Sequence, residues 1–466
     1  MIVDLQVKKS FGKSVLLQWT APSKSEADKK YVYDIRYSKS EITKENFFSC
    51  TSADVTVVPR EPGVTQNMYV NELETGVLYY FAMRLINVNS EIGVLSNVVS
   101  ATPKFSETPT EEVTVDSVEK LVAEIENAGD LGKIITLAPG NYCQDNGIVL
   151  NDKDYITIQG ATDNWDDTVL WGQGQYGEKG RNVDINLKLY NCQYFTIKNL
   201  TIRDSYHHAI QANEASNYFY AVNVKTLNSG ESGYKTTGGN QLKKDFIYCD
   251  YGIIEDCYIG NVESASGVNG VVEGIDGIAS KGWIVRNCVF ENIISPPSGL
   301  GYAVFFKANS IDSIYENNLF INCDIALSFG GGGSGPEWLF RYNDASFEHR
   351  GGVMKNNISH GSVRNETGIF INCSTGFEIY DNIIWDGAKW GSVNFRTSQM
   401  QYADRKLTQS GKIYNNALRY GIEEYNPTQV IGDNIILENN TELTKESADK
   451  ELKERQDSMD KKFIMK

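Results

Sequence analysis

Four histidines occur in the 466 residues, at positions 207, 208, 349 and 360. Histidine titrates near neutral pH, which makes it a natural acid or base. His208 and His349 are therefore the first candidates for chemistry. Between them lie Glu231-Ser-Gly-Tyr-Lys235 and Gly274-Ile-Asp276, with Lys281 shortly after, and Arg350 follows His349 directly. A lysine, an arginine and carboxylates beside histidines suit proton transfer next to a group that neutralises charge. Glu231, Lys281 and Lys307 are candidates for holding a substrate, as are Trp338 and Trp390, whose rings could stack on a sugar. Glu231, Asp250, Glu273 and Asp276 are oxygen donors of the kind Ca²⁺ prefers, without a diagnostic metal spacing. Each residue also has a plainer role. Lys235 can be a solvated loop lysine, Asp276 a turn-forming aspartate, and Arg350 an ion-pair partner. The histidines can be ordinary hydrogen-bonded side chains, and the tryptophans can pack under loops.

These groups matter together only if the chain sets them on one flank. From about residue 155 to 440 a single phrase recurs: a short β-prone run, then Asn or Asp, then another short apolar run. The Asn or Asp falls at Asn199, Asn223, Asp256, Asn287, Asn317, Asn356, Asp381 and Asn415. The interval is irregular, roughly 20 to 40 residues, as in a solenoid with variable loops. Period-two alternation makes each run a half-buried strand that only stacking can cover. Asn and Asp tolerate left-handed backbone, which suits the corner after each strand. The pattern predicts a parallel β-helix. On such a coil, segments of equal phase share one side, so Lys235, Asp276 and His349 would line one groove.

The charge balance is acidic, 60 Asp and Glu against 44 Lys and Arg, for a formal −16. That disfavours nonspecific binding to nucleic acid or an anionic membrane. No run is long and apolar enough to span a bilayer, and Met1-Ile-Val-Asp is not a signal peptide. A secreted or cell-surface monomer is expected. The eight cysteines lack CxxC spacing, which argues against structural zinc. Cys192, Cys257, Cys288, Cys323 and Cys373 fall near the repeat corners and are expected as buried free thiols. The glycine-rich run at 330–335 has no Walker lysine and is not a phosphate cradle.

Residues 1–103 differ from the repeats. Leu16-Leu-Gln-Trp19, Tyr33-Asp-Ile-Arg-Tyr37 and Tyr79-Tyr-Phe-Ala-Met-Arg84 are short strands between polar turns, the pattern of an antiparallel sandwich. The Trp19, Leu73 and Tyr79 arrangement resembles a fibronectin type III module, which implies a spacer without catalysis. Residues 104–114 read as a linker. Asp116-Ser-Val-Glu119 is a capping box for a short helix with Leu121, Val122 and Ile125 on its apolar face, ended by Gly129. That helix would cover the open end of the coil, which then occupies 115–440. The charged stretch 441–466 is expected as an exposed helix or frayed end.

The helix followed by Leu137-Ala-Pro-Gly-Asn-Tyr142 resembles the opening of right-handed β-helix polysaccharide lyases of the chondroitinase B and alginate lyase type. From Asn199 to about Tyr380 the chain is similar to bacterial right-handed β-helix proteins linked to carbohydrates. The matching runs are 206–211, 230–235, Gly274-Ile-Asp276 before 282–287, 322–330 and 349–357. Where that group carries a His beyond Gly-Ile-Asp, this chain has Ala279. The resemblance implies an all-β fold, a right-handed parallel β-helix behind a fibronectin-like sandwich. It also implies β-elimination on a uronic acid. Lys235 would be the base, its pKa lowered from about 10.4, Arg350 or Lys281 would neutralise the carboxylate, and His208 and His349 would assist. A glycoside hydrolase using Asp276 with Asp250 or Glu273 is the alternative, and a noncatalytic glycan-binding protein is a third.

Overall fold

The computed structural model describes residues 2–22, 31–53, 57–87, 92–105, 111–172, 174, 183–238, 248–262, 270–297, 299–331, 335, 339–396, 406–424 and 434–464. The chain divides into two compact units near residue 110.

The first unit is built from two antiparallel sheets. One holds Gln6–Phe11, Ser14–Thr20 and Thr65–Val70. The other holds Thr51–Ser52, Tyr31–Ser38, Tyr79–Asn87 and Val99–Ala101. Alternation decides the inner faces: Val15, Leu17 and Trp19 from the first sheet meet Tyr33, Ile35, Phe81 and Met83 from the second. Trp19 packs edge-on against Tyr33 at 5.1 Å between ring centroids. Leu73 and Tyr79 join this core, and the Tyr79 hydroxyl accepts a hydrogen bond from the Glu74 backbone N–H at 3.3 Å.

The second unit is a parallel β-helix. Among the described residues, a 21-stranded sheet and a 10-stranded sheet run along it, with a 3-stranded sheet beside them. The pairings along these sheets are parallel, as in Ile254↔Val285 and Ile275↔Val304. Neighbouring turns therefore stack equivalent residues. The eight corner residues named above all have positive φ, between 53° and 59°. That conformation is cheap for Asn and Asp and costly for most residues. The same corners carry an internal ladder. Asn318, Asn357, Asn382, Asn416 and Asn440 each sit one residue past a corner. Each side-chain amide from Asn318 to Asn416 donates to the next Asn oxygen at 2.9–3.0 Å. Earlier in the coil the equivalent places belong to Cys257 and Cys288, and the Cys288 N–H donates to Asn318 Oδ1. All five cysteines expected as buried thiols are buried and free. Burial pushes the Cys192 thiol up to about 12, so it does not ionise near neutral pH.

The coil begins earlier than the sequence suggests. Glu111–Val115, placed in a linker above, is a strand paired in parallel with Lys133–Leu137. Its Val113 and Val115 supply the apolar face that a linker lacks. The helix is Val118–Glu126. Its cap is Ser117, whose side chain accepts from the Lys120 N–H, and it ends at Asn127 rather than Gly129. Leu121 and Ile125 are buried at the end of the core. At the other terminus, Lys445–Ile464 is a helix, and it is not wholly exposed: Met459 packs against Val289, Leu319 and Ile358 on the outside of the long sheet.

Candidate functional site

The 10-stranded sheet positions the candidate groups. Strand Glu273–Ile278 lies between Ser232–Thr237 and Tyr302–Lys307, in the registers Ser232↔Glu273↔Tyr302 and Lys235↔Asp276↔Phe305. Ile275 and its partners Tyr234 and Val304 belong to the interior core, whereas Tyr302 and Phe305 form a separate cluster with Ile325 and Phe370. Glu273 and Asp276 therefore leave the strand on its outer face, with Gly274 and Ile275 between them. A Cβ at Gly274 would stand 2.3 Å from the Ala303 carbonyl oxygen and 2.9 Å from the Phe290 ring. Glycine at that place lets two consecutive residues pack inward, which sets both carboxyls outward.

The two carboxyls have different surroundings. Asp276 ion-pairs closely with Lys235, and its other oxygen lies 3.3 Å from Lys307 Nζ. Lys235 is also 3.5 Å from Glu231. Burial alone would raise Asp276, but the two lysines hold it below the usual carboxylate value. Glu273 has no such pair. It accepts from Ser232 Oγ at 2.8 Å. Burial, reinforced by the neighbouring Asp276 charge, pushes it up to about 7. His208 stands in register with Ser232, which separates it from Glu273 by two turns. Burial first, then the Lys235 charge, holds its pKa well below the ordinary histidine value.

This corrects the expected role of Lys235. A lysine base must lose its proton easily. Burial favours that, but Asp276, Glu273 and Glu231 outweigh it and raise the Lys235 pKa above the ordinary value. Lys235 is a fixed cation. His349 is also displaced from the expected set. It lies on the short strand His349–Arg350, between Ser310 and Ser374. Its ring stacks on the core residue Phe329 at 4.2 Å and bonds Ser313 Oγ at 3.0 Å. Its imidazole is inside the coil, so it does not line a groove with Lys235 and Asp276. Arg350 pairs with Asp344, Asn309 and Ser346 and covers the Phe347 ring, which is the structural role. Lys281 bridges to Ile311 at the edge of the same three-stranded sheet, away from the carboxyl pair. Lys307 does join the site. Trp338 lies outside the described residues. Trp390 stands beside Lys389, its backbone bonded to Glu366 on another turn.

Asp250 is committed elsewhere. Arg341, 1 % exposed, bonds both its carboxylate oxygens at 2.9 and 2.8 Å. Sequence reasoning missed Arg341 because its partner is 91 residues away. Among the described residues no group of three or more His, Cys, Asp or Glu is arranged to hold a metal ion, so the Ca²⁺ donor set does not assemble. Removing one partner of a buried pair strands the other. Asp250→Ala is expected to cost about 3–5 kcal/mol of stability, whereas the joint change Asp250→Leu, Arg341→Met costs less. Denaturant midpoints of the three proteins check this. A single variant as stable as the double one contradicts it.

No protein-family model matches this chain, and no curated protein is similar to it in sequence. Among solved structures it is similar to an alginate lyase from Paenibacillus sp. str. FPU-7, with 15% identity, a TM-score of 0.43, and coverage of 71% of this chain and 99% of that one. It is similar to a lacto-N-biosidase from Eubacterium ramulus at 11% identity and a TM-score of 0.44, covering 72% and 68%. A tailspike protein of E. coli bacteriophage HK620 shares 13% identity at a TM-score of 0.42, covering 72% and 63%. Identities this low assign no chemistry.

Proposed function

We propose that this protein is a glycan-cleaving enzyme that works by general acid–base hydrolysis, with Glu273 as acid and Asp276 as base. One observation carries the reading: two carboxyls on a single outward strand face are driven toward opposite protonation states. Such divergence is how one site supplies an acid and a base at the same pH. Lys235 and Lys307 keep Asp276 ionised, and Ser232 orients the Glu273 carboxyl. Three residues of strand at about 3.3 Å each set the two Cα atoms about 10 Å apart. That favours the wider carboxyl spacing of about 6.5–9.5 Å, which leaves room for a water and inverts the anomeric centre. β-Elimination by Lys235 is the weaker reading, because the lysine is held protonated.

The test is incubation of the purified chain with a panel of neutral and uronate glycans, followed by product mass and anomer analysis. Products heavier by one water, released with inverted configuration, are expected. The rate should fall as pH rises through about 7, where Glu273 loses its proton. Ultraviolet absorbance from an unsaturated uronate would overturn the hydrolytic reading in favour of elimination. No turnover on any glycan would remove both.

A further inference from the structure

A second group of charged residues lies further along the coil, outside the site just described. Asp324 and Glu366 each stand immediately before a strand of the 10-stranded sheet, and the residues after them, Ile325 and Thr367, are in register. The two carboxylates are therefore equivalent on adjacent turns, about 4.8 Å apart along the coil. Arg364 joins them: Nη1 lies 3.0 Å from Asp324 Oδ2, and Nη2 lies 3.1 Å from Glu366 Oε1. Asp324 Oδ2 also accepts from the Ser295 and Gly301 N–H groups, so Asp324 fastens that loop to the coil. Glu366 Oε1 accepts from Lys389 Nζ at 2.8 Å, and Glu366 Oε2, like Asp324 Oδ1, is buried with no hydrogen-bond partner among the described residues. The Glu366 side chain is 2 % exposed and lines a cleft of about 790 Å³, within the range of small-molecule sites. A buried carboxylate oxygen without a donor is costly.

We propose that this cleft is a binding site for a neutral saccharide, with Glu366 Oε2 accepting from a sugar hydroxyl and Lys389 donating to a neighbouring one. The charges point to a neutral ligand. Arg364 and Lys389 balance Asp324 and Glu366, so a uronate carboxylate would face the bare Glu366 oxygen, and an amine would compete with Lys389. Val262, Ile294 and Pro297 add apolar surface to the lining, which suits the C–H face of a sugar ring. The register Glu273↔Tyr302↔Ile325↔Thr367 sets Glu366 three turns from Glu273, about 14 Å along the coil. The site thus rests on the glycan reading above for its place along one bound chain, but binding there needs no catalysis.

The experiment is calorimetric titration of the full chain with neutral oligosaccharides, and with a uronate oligosaccharide as the charged comparison. Lys389→Ala removes a side chain that is 53 % exposed, and Val262→Glu adds a blocking charge at a residue that is 72 % exposed, so both should fold. Each is expected to weaken neutral-sugar binding at least tenfold. Neutral-sugar affinity unchanged in both cleft variants, or uronate preferred over the neutral sugar, would overturn the proposal. Loss of binding in the cleft variants of a protein that turns over no glycan would keep this site and remove the catalytic reading. Turnover with no neutral-sugar binding would do the reverse.

Discussion

Glu273→Gln and Asp276→Asn are each expected to lower glycan turnover by about 10²- to 10⁴-fold, the usual contribution of a positioned acid or base. The two variants fail for different reasons, and their stabilities separate them. Glu273 rises from 4.5 to about 7 on folding, so between those values the folded chain holds a proton that the unfolded chain has released. Stability therefore falls as pH rises through that window, by an amount on the order of a few kcal/mol. Glutamine cannot ionise and escapes that penalty. The Glu273→Gln protein should be at least as stable as the parent at pH 8, yet inactive at pH 6, where the parent holds its acidic proton, which a merely structural residue would not produce. Asp276→Asn leaves Lys235 and Lys307 without their shared carboxylate. It should lose stability together with activity. Retained turnover in either variant would remove that residue from the mechanism, and a Glu273→Gln protein that is inactive at pH 6 and unstable at pH 8 would make its role structural.

The architecture was legible because it repeats. One Asn or Asp per turn, always after a strand, announces a corner with positive φ, and every such corner named from the sequence adopts it. The site was legible only in part. Lys235 and Asp276 meet because their strands are in register, which equal phase in the sequence does suggest. Glu273 was visible as a carboxylate, but its altered protonation arises from burial beneath the surrounding chain, and alternation does not encode that. His349 was misplaced for a specific reason. Equal phase says that residues share a side of the coil, not whether a side chain points in or out. The short strand His349–Arg350 sends Arg350 outward and His349 inward. Arg364 and Glu366 escaped notice because no histidine or motif marks them, although an acidic residue immediately before two registered strands was available as a signal. Lys307 was named from the sequence as a substrate-holding residue, but its place at the end of its strand does not reveal that it is the second cation on Asp276.

The inward His349 has a consequence for acid stability. Burial holds its pKa down at about 3, against 6.5 in an exposed chain. Between those values the unfolded state takes up a proton that the folded state refuses, so stability rises with pH across the window and is lost as pH falls. The full difference corresponds to about 4–5 kcal/mol, a large share of the 5–15 kcal/mol typical of a domain. His208 is shifted in the same direction and adds to the loss. Replacing His349 by phenylalanine keeps a ring against Phe329 and removes the titration. The bond to Ser313 Oγ is lost, so the variant is expected to be somewhat less stable at pH 7.5. Its denaturation midpoint should nevertheless decline less steeply than that of the parent as pH falls from about 6.5 to 4. The decisive quantity is the slope rather than the starting value. Parallel acid limbs in the two proteins would mean that the imidazole is already protonated in the folded coil, and that the ring is not sealed inside it.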